Sequence, residues 1–311
     1  MILTVTLNAA LDITYRVPRL HPHATNRVTE VSERPGGKGL NVARVLAALG
    51  HRTVATGFAG GGTGTALRAL LAETEVTDAL VPVGGTTRRT VAVVDAAGGD
   101  TTQLNEPGPT VSPAEWDTFL GTYRELLADA RAVALCGSLP PGVPVDVYAR
   151  LTRAARSAGV PVLLDTSGEP LRRGLAARPD LTKPNTEELA ALTGSTEPLR
   201  AARDARRRGA HAVAASLGPA GMLAVTADGT WQATPPRQIA GNPTGAGDSA
   251  VAGLLSGLVE DLPWPDRLTR AVALSAATVR APAAGEFDTA TYEELLRTVK
   301  VAAPSPEARG T

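Results

Sequence analysis

Ala132-Val133-Ala134-Leu135-Cys136, followed by Gly137-Ser138-Leu139-Pro140-Pro141-Gly142, is the stretch on which the fold reading turns. An apolar run of strand length is closed by a glycine and proline turn, and a helical pattern from Val145 to Ser157 comes next. The unit then repeats. Strand Val160 to Asp165 precedes a helix near Leu171, and Lys183-Pro184 precedes helix Glu187 to Leu192. A further helix covers Leu199 to Arg208, with strands at His211 to Leu217 and Met222 to Thr226. Strands alternating with helices of this length predict a mostly parallel sheet with helices on both faces.

Working outward, Ile2 to Leu7 reads as a strand, Val42 to Leu49 as a helix ending at Gly50, and Thr53 to Phe58 as another strand. Helices are expected over Thr65 to Ala72 and Ala114 to Ala128, and three more close the chain, the last near Tyr292 to Val299. Two pairs of short, partly polar strands break the rhythm: Asp12 to Val17 with Arg27 to Val31, and Arg89 to Asp95 with Thr101 to Leu104. They predict a small separate sheet, inserted as residues 12–34 and 86–106 of one domain spanning 1–302. Residues 303–311 read as a flexible tail.

The bulk numbers exclude several classes. Thirty-one basic and 31 acidic residues balance, so nothing advertises nucleic acid or an anionic membrane. No apolar run approaches membrane-spanning length. The first residues enter a strand pattern with no basic leader, and the single cysteine, Cys136, agrees with a reducing compartment. A cytoplasmic protein is expected. Of the basic residues only Lys38, Lys183 and Lys300 are lysines, which favours sites wanting a compact ammonium.

Chemistry concentrates at Gly241-Asn242-Pro243-Thr244-Gly245-Ala246-Gly247-Asp248-Ser249. Val251, Leu254, Leu255, Leu258 and Val259 follow at helical spacing, so the glycines sit at a helix N-terminus, where free N–H groups favour an anion. A carboxylate there needs a purpose, and Asp248 is read as a base. Familiar nucleotide motifs fail. Gly37-Lys38 lacks the Ser/Thr and upstream glycine of a P-loop. Gly245-x-Gly247-x-x-Ala250 follows Pro243 rather than a strand end, unlike a dinucleotide fingerprint. Asp165-Thr166-Ser167 is half an aspartic-protease site with no second copy. His21 and His23 suit a solvated loop, and Cys136 a packed strand. Asn185-x-x-Glu188, opening an apolar-periodic helix after Pro184, reads by itself as an N-cap with a capping-box acid.

Six ordered motifs together resemble the PfkB (ribokinase-like) family of carbohydrate kinases over nearly the whole chain. They are Gly36-Gly37-Lys38-Gly39-Leu40-Asn41, Asn105-Glu106-Pro107-Gly108-Pro109, Gly137-Ser138-Leu139-Pro140-Pro141-Gly142, Lys183-Pro184-Asn185-x-x-Glu188, Ser216-Leu217-Gly218-x-x-Gly221 and Asn242 to Ser249. The opening, Thr6-Leu7-Asn8-Ala9-Ala10-Leu11-Asp12, resembles the 1-phosphofructokinase and tagatose-6-phosphate kinase branch, although Ala9 stands where that branch usually has proline. The resemblance implies a ribokinase-like α/β fold with a small β-sheet lid, ATP and Mg²⁺, and a homodimer through the lid. It implies ATP-dependent phosphorylation of a phosphorylated ketohexose, fructose 1-phosphate to fructose 1,6-bisphosphate. Asp248 would be the base, and the N–H groups of Gly245, Ala246 and Gly247 the anion hole. Lys183, Ser216, Gly218 and Gly221 would serve the nucleotide, and Asn185 and Glu188 Mg²⁺ through water. Ala281 to Gly285 would flank the nucleotide's base, while Asp12, Gly37 and Asn41 would hold sugar hydroxyls.

Charge narrows the acceptor. Lys38, with Arg27 and Arg89 on the lid strands, places three cations near the hydroxyl-binding edge, which suits an acceptor already carrying a phosphate. Ser138 is a further substrate contact. The alternatives are tagatose-6-phosphate kinase, 6-phosphofructokinase, another sugar or nucleoside kinase, and a catalytically silent sugar-phosphate sensor.

Overall fold

The computed structural model describes residues 1–304. Its main sheet is built around Ile2–Thr6, flanked in parallel by Thr53–Ala59 on one side and Ala132–Cys136 on the other. Outward from Ala132–Cys136 follow Val162–Asp165, Leu181–Thr182 and Ala212–Ser216, all parallel. Met222–Val225, Thr230–Thr234 and Lys300–Ala302 then extend that edge as antiparallel strands. At the other edge Val76–Asp78 pairs with Thr53–Ala59.

Apolar residues on both sides of each central strand explain why both faces are covered. Leu3, Val5, Val133 and Leu135 face a layer that includes helices Pro113–Leu127, Val147–Ser157 and Pro198–Arg207. Ile2, Ala132, Ala134 and Cys136 face helices Lys38–Ala48, Ala246–Val259 and Trp264–Thr278. Alanines dominate that second face, which lets the glycine-containing helix Ala246–Val259 lie close to the strand ends. Cys136 is buried among them, as its strand position predicts. No helix among the described residues is long and apolar enough to cross a membrane.

A four-stranded sheet stands apart, in the order Glu30–Gly36, Ala10–Val17, Arg88–Asp95, Thr101–Asn105. The edge strand Glu30–Gly36 runs later than the expected Arg27 to Val31. Pro35 is tolerated in it because at a sheet edge the missing N–H costs no ladder bond. Residues up to Thr29 instead form a loop, closed where Asn26 exchanges hydrogen bonds with the backbone of His21. The short strands at 76–78, 181–182, 230–234 and 300–302 have no counterpart in the sequence reading. Ala303 and Pro304 have no regular structure, and 305–311, the rest of the expected tail, lie outside the described residues.

Candidate active site

All the parallel strands deliver their carboxyl ends to one edge, where open α/β sheets form their ligand crevice. A cavity of about 1000 Å³ lies there, between that edge and the small sheet. Asp12, Gly37, Lys38, Asn41, Lys183, Asn185, Glu188, Ser216, Gly218, Gly221 and Gly245 to Asp248 all line it. Residues scattered from position 12 to 248 thus meet in one place.

Gly245 makes the turn that opens helix Ala246–Val259. Its φ of 84° is left-handed, and a Cβ added there would lie 2.7 Å from Ala284 Cα, so glycine is required twice over. Asp248 falls in the first turn and is 7% exposed. Asn41 Nδ2 donates to Asp248 Oδ2 at 2.9 Å, tying the helix that follows Gly37 to the one that follows Gly245.

The helix dipole leads one to expect a firmly ionised Asp248, but burial outweighs it. Desolvation pushes the carboxyl up to about 6, with Lys38, Asn41 and Lys183 pulling down and Asp165 pushing up. Asp248 therefore remains ionised at neutral pH yet becomes a useful proton acceptor.

Asp165, which in the sequence resembles only half a protease motif, links the two site lysines. Its carboxylate is 1% exposed, 3.1 Å from Lys38 Nζ and 3.5 Å from Lys183 Nζ. Burial alone would raise its pKa, but the ammoniums of Lys183 and Lys38 hold it below the ordinary aspartate value. For Lys38, burial lowers the pKa and Asp165, Asp248 and Glu188 more than reverse that, so it stays charged. Lys183 Nζ also lies beside the glycine turn, 3.6 Å from where a Cβ on Gly247 would stand. A carboxylate closing an apolar strand beside a site was the available signal for Asp165.

The expected lid cations divide. Arg89 shares the outer face of the small sheet with Leu11, Ile13 and Leu104, and pairs with Glu106 in solvent at 2.7 Å. It does not reach the cavity. Arg88, one residue earlier, faces inward with Asp12, Thr90 and Gln103 and lines the cavity. Its guanidinium donates to the carbonyls of Asn8 and Glu106 at 3.1 and 3.2 Å. Arg27 is exposed in the loop before Thr29 and does not line the cavity either. Ser138 is exposed just outside the lining and accepts from Asn8 Nδ2 at 3.1 Å.

On the wall where the nucleotide is expected, Asn185 and Glu188 do form the capping box: Glu188 N donates to Asn185 Oδ1 at 2.7 Å, and Asn185 N to Glu188 Oε2 at 2.9 Å. The cap leaves one Glu188 oxygen unused on the cavity wall. Ser216 Oγ is buried on that wall without a hydrogen-bond partner. Among the described residues no cluster of three or more acidic, histidine or cysteine side chains could cage a metal. The remaining Glu188 oxygen nevertheless fits Mg²⁺, a cation that takes oxygen ligands and keeps most of its water shell. In the stretch expected to flank the nucleobase, Ala281 to Gly285, Ala284 packs against Gly245 and Gly285 against Arg44, while Ala281 to Ala284 line an adjoining cavity with Asp12, Thr90 and Pro243. Val272, Ser275, Ala276 and Val279 line the cavity beyond Ser216.

Residues 5–290 match the pfkB family of carbohydrate kinases. A 1-phosphofructokinase of Rhodobacter capsulatus is 42% identical over 283 residues, 88% of this chain and 90% of that protein. Phosphofructokinase-2 from Escherichia coli, solved in complex with potassium, superposes with a TM-score of 0.88 at 31% identity, covering 95% of this chain and 98% of that one. A possible 1-phosphofructokinase from Thermotoga maritima gives 0.89 at 27% identity, over 97% and 99%. With the motif order, the two-sheet architecture and the gathered acid and lysines in agreement, the chain belongs to the pfkB family of carbohydrate kinases.

Proposed function

We propose that the protein transfers the γ-phosphoryl group of ATP to fructose 1-phosphate, giving fructose 1,6-bisphosphate and ADP. The observation that carries this reading is the placement of Asp248. Its buried carboxylate stands at a helix N-terminus with the Lys38–Asp165–Lys183 array nearby and the inner face of the small sheet opposite. Asp248 accepts the proton of the attacking hydroxyl as the new O–P bond forms and the bridging bond to the β-phosphate breaks. The N–H groups of Gly245 and Gly247 and the ammonium of Lys183 hold the moving charge, whereas the Ala246 N–H expected beside them donates to the Pro243 carbonyl at 3.1 Å. Asn185 and Glu188 would hold Mg²⁺ through water, and the ion would supply neutralisation of the triphosphate charge. Asp12 and Asn41 orient sugar hydroxyls, while Lys38 and Arg88, with Ser138, receive the acceptor's own phosphate. Arg88 takes the place that the sequence assigned to Arg89.

A coupled ADP-release assay across fructose 1-phosphate, fructose 6-phosphate, tagatose 6-phosphate, free hexoses and nucleosides tests the acceptor. The highest kcat/KM is expected with fructose 1-phosphate. A preference for free hexoses would overturn the phosphate-binding role of Lys38 and Arg88. Lys38→Ala should raise the acceptor KM about tenfold or more, the scale of a lost hydrogen bond to a charged group, and leave the ATP KM nearly unchanged. Equal effects on both substrates would place Lys38 elsewhere.

We also propose that two copies pair through their lids. The outer face presents Tyr15, Val31, Val91, Val93 and Leu104, with Val31 57% and Leu104 59% exposed. One apolar face of a thin sheet in water calls for a cover. Leu104→Asp should shift sedimentation from dimer to monomer; an unchanged distribution would remove the lid from the interface.

A further inference from the structure

We propose that Glu286 is a positioning residue that couples the lid to the glycine turn holding the transferred phosphoryl group. Glu286 Oε1 accepts from Arg34 Nε at 3.2 Å and from Arg44 Nη2 at 2.7 Å. Arg34 lies on the lid strand Glu30–Gly36, directly opposite Asp12 in the sheet register. Arg44 lies on the helix that begins at Lys38 and carries Asn41, the partner of Asp248. One carboxylate therefore joins the acceptor-side lid to the helix that supports the base.

The same link reaches the anion hole through the backbone. Arg44 Nη1 donates to the carbonyl of Ala284 at 3.0 Å. Gly285 adopts a left-handed φ of 75°, and a Cβ there would lie 2.8 Å from Arg44 Nη1 and 3.2 Å from Asn41 Cα. Ala284 in turn fills the space against Gly245, where no Cβ would fit. Residues 284–286 thus form a wedge between the base-bearing turn and helix Lys38–Ala48.

The two arms of Glu286 differ in a way that suits coupling. The Arg44 side chain is 8% exposed, so this arm is sheltered and fixed to the core. Arg34 is 41% exposed, so its arm is open to water and salt and can be released without leaving a buried charge unpaired. A lid that must admit and release substrate needs a contact of the second kind at its root. When the contact forms, Asp12 is brought over the acceptor while the wedge seats against Gly245. The charge of Glu286, rather than its bulk, does this.

The inference rests on the kinase reading, and its test separates the two. The variants Arg34→Met and Glu286→Gln are compared with wild type for acceptor KM, ATP KM, kcat and acceptor-independent ATP hydrolysis. Each should raise acceptor KM about fivefold, with hydrolysis rising relative to transfer and ATP KM unchanged; coupled residues interact on this scale. The double variant should be no worse than Glu286→Gln alone. Raising ionic strength should raise the acceptor KM of wild type more steeply than that of Arg34→Met. Wild-type KM and hydrolysis in both variants, or fully additive effects, would overturn the coupling while leaving the kinase reading intact. Absence of acceptor-dependent ADP release in wild type would overturn both. If Glu286→Gln fails to fold, Arg34→Met, altered on the partly exposed lid, decides through its KM, hydrolysis and salt response.

Discussion

Replacing Asp248 by alanine lowers kcat by about 100-fold or more, the usual contribution of a positioned general base. Among the described residues no hydrogen bond ties Asp248 to Ser216, Gly218 or Lys183, the residues proposed for ATP, so ATP affinity is expected to change little. Circular dichroism should confirm the fold, because Asp248 also accepts the Asn41 bond. The pH profile carries a second signature. Burial raises the Asp248 carboxyl to about 6, and only the ionised form can accept a proton. In wild type, kcat/KM should therefore climb through about pH 6 and level off above it. Lys38 pulls that value down, so Lys38→Ala should move the limb to higher pH. Turnover within about tenfold of wild type in Asp248→Ala would remove this residue from the base role.

Asp165→Ala produces the largest expected loss of stability, about 3–5 kcal/mol, the cost of breaking a buried pair and stranding the partner charge. Lys183 is 5% exposed and would lose its buried counter-ion, whereas Lys38, 39% exposed, can turn toward water. The loss is a large part of the 5–15 kcal/mol that holds a typical domain folded. Urea unfolding checks it through a lower midpoint; a midpoint unchanged from wild type would show that the lysines reorganise freely. The sign with pH is also set. Burial opposes ionisation of Asp165, but Lys183 and Lys38 win, and its pKa lies below the ordinary aspartate value. The unfolded state therefore takes up protons first as pH falls. The ion pairs contribute fully above the ordinary aspartate range and are lost as pH falls below it. Asp165→Asn should also shift the activity limb of Asp248 to lower pH, since Asp165 raises that carboxyl.

Much of the molecule is written in local patterns. Apolar strands followed by glycine or proline turns and helical repeats dictate a parallel sheet covered on both faces, because only that arrangement buries both sides of such strands. The same periodicity puts Gly245, Ala246 and Gly247 at a helix start with Asp248 in its first turn, and both are seen. Asn185 and Glu188 announced a cap by their spacing, and the cap is present.

Other features depend on which segments become neighbours. Arg88 and Arg89 are adjacent in the chain, yet one faces the cavity and the other solvent, because strand register assigns alternate residues to opposite faces. Strands of two or three residues, such as Leu181–Thr182 and Lys300–Ala302, exist only because longer neighbours supply their hydrogen bonds. The sequence by itself determined the α/β architecture and the helix-start chemistry around Asp248, since both follow from periodicity and glycine placement within a few turns of chain. Tertiary structure alone decided that Asp165 links Lys38 to Lys183, that Glu286 joins Arg34 to Arg44, and that Asp248 sits near pH 6 rather than at an ordinary carboxylate value. Charge pairing and burial are set by distances across the fold, and no spacing along the chain encodes them.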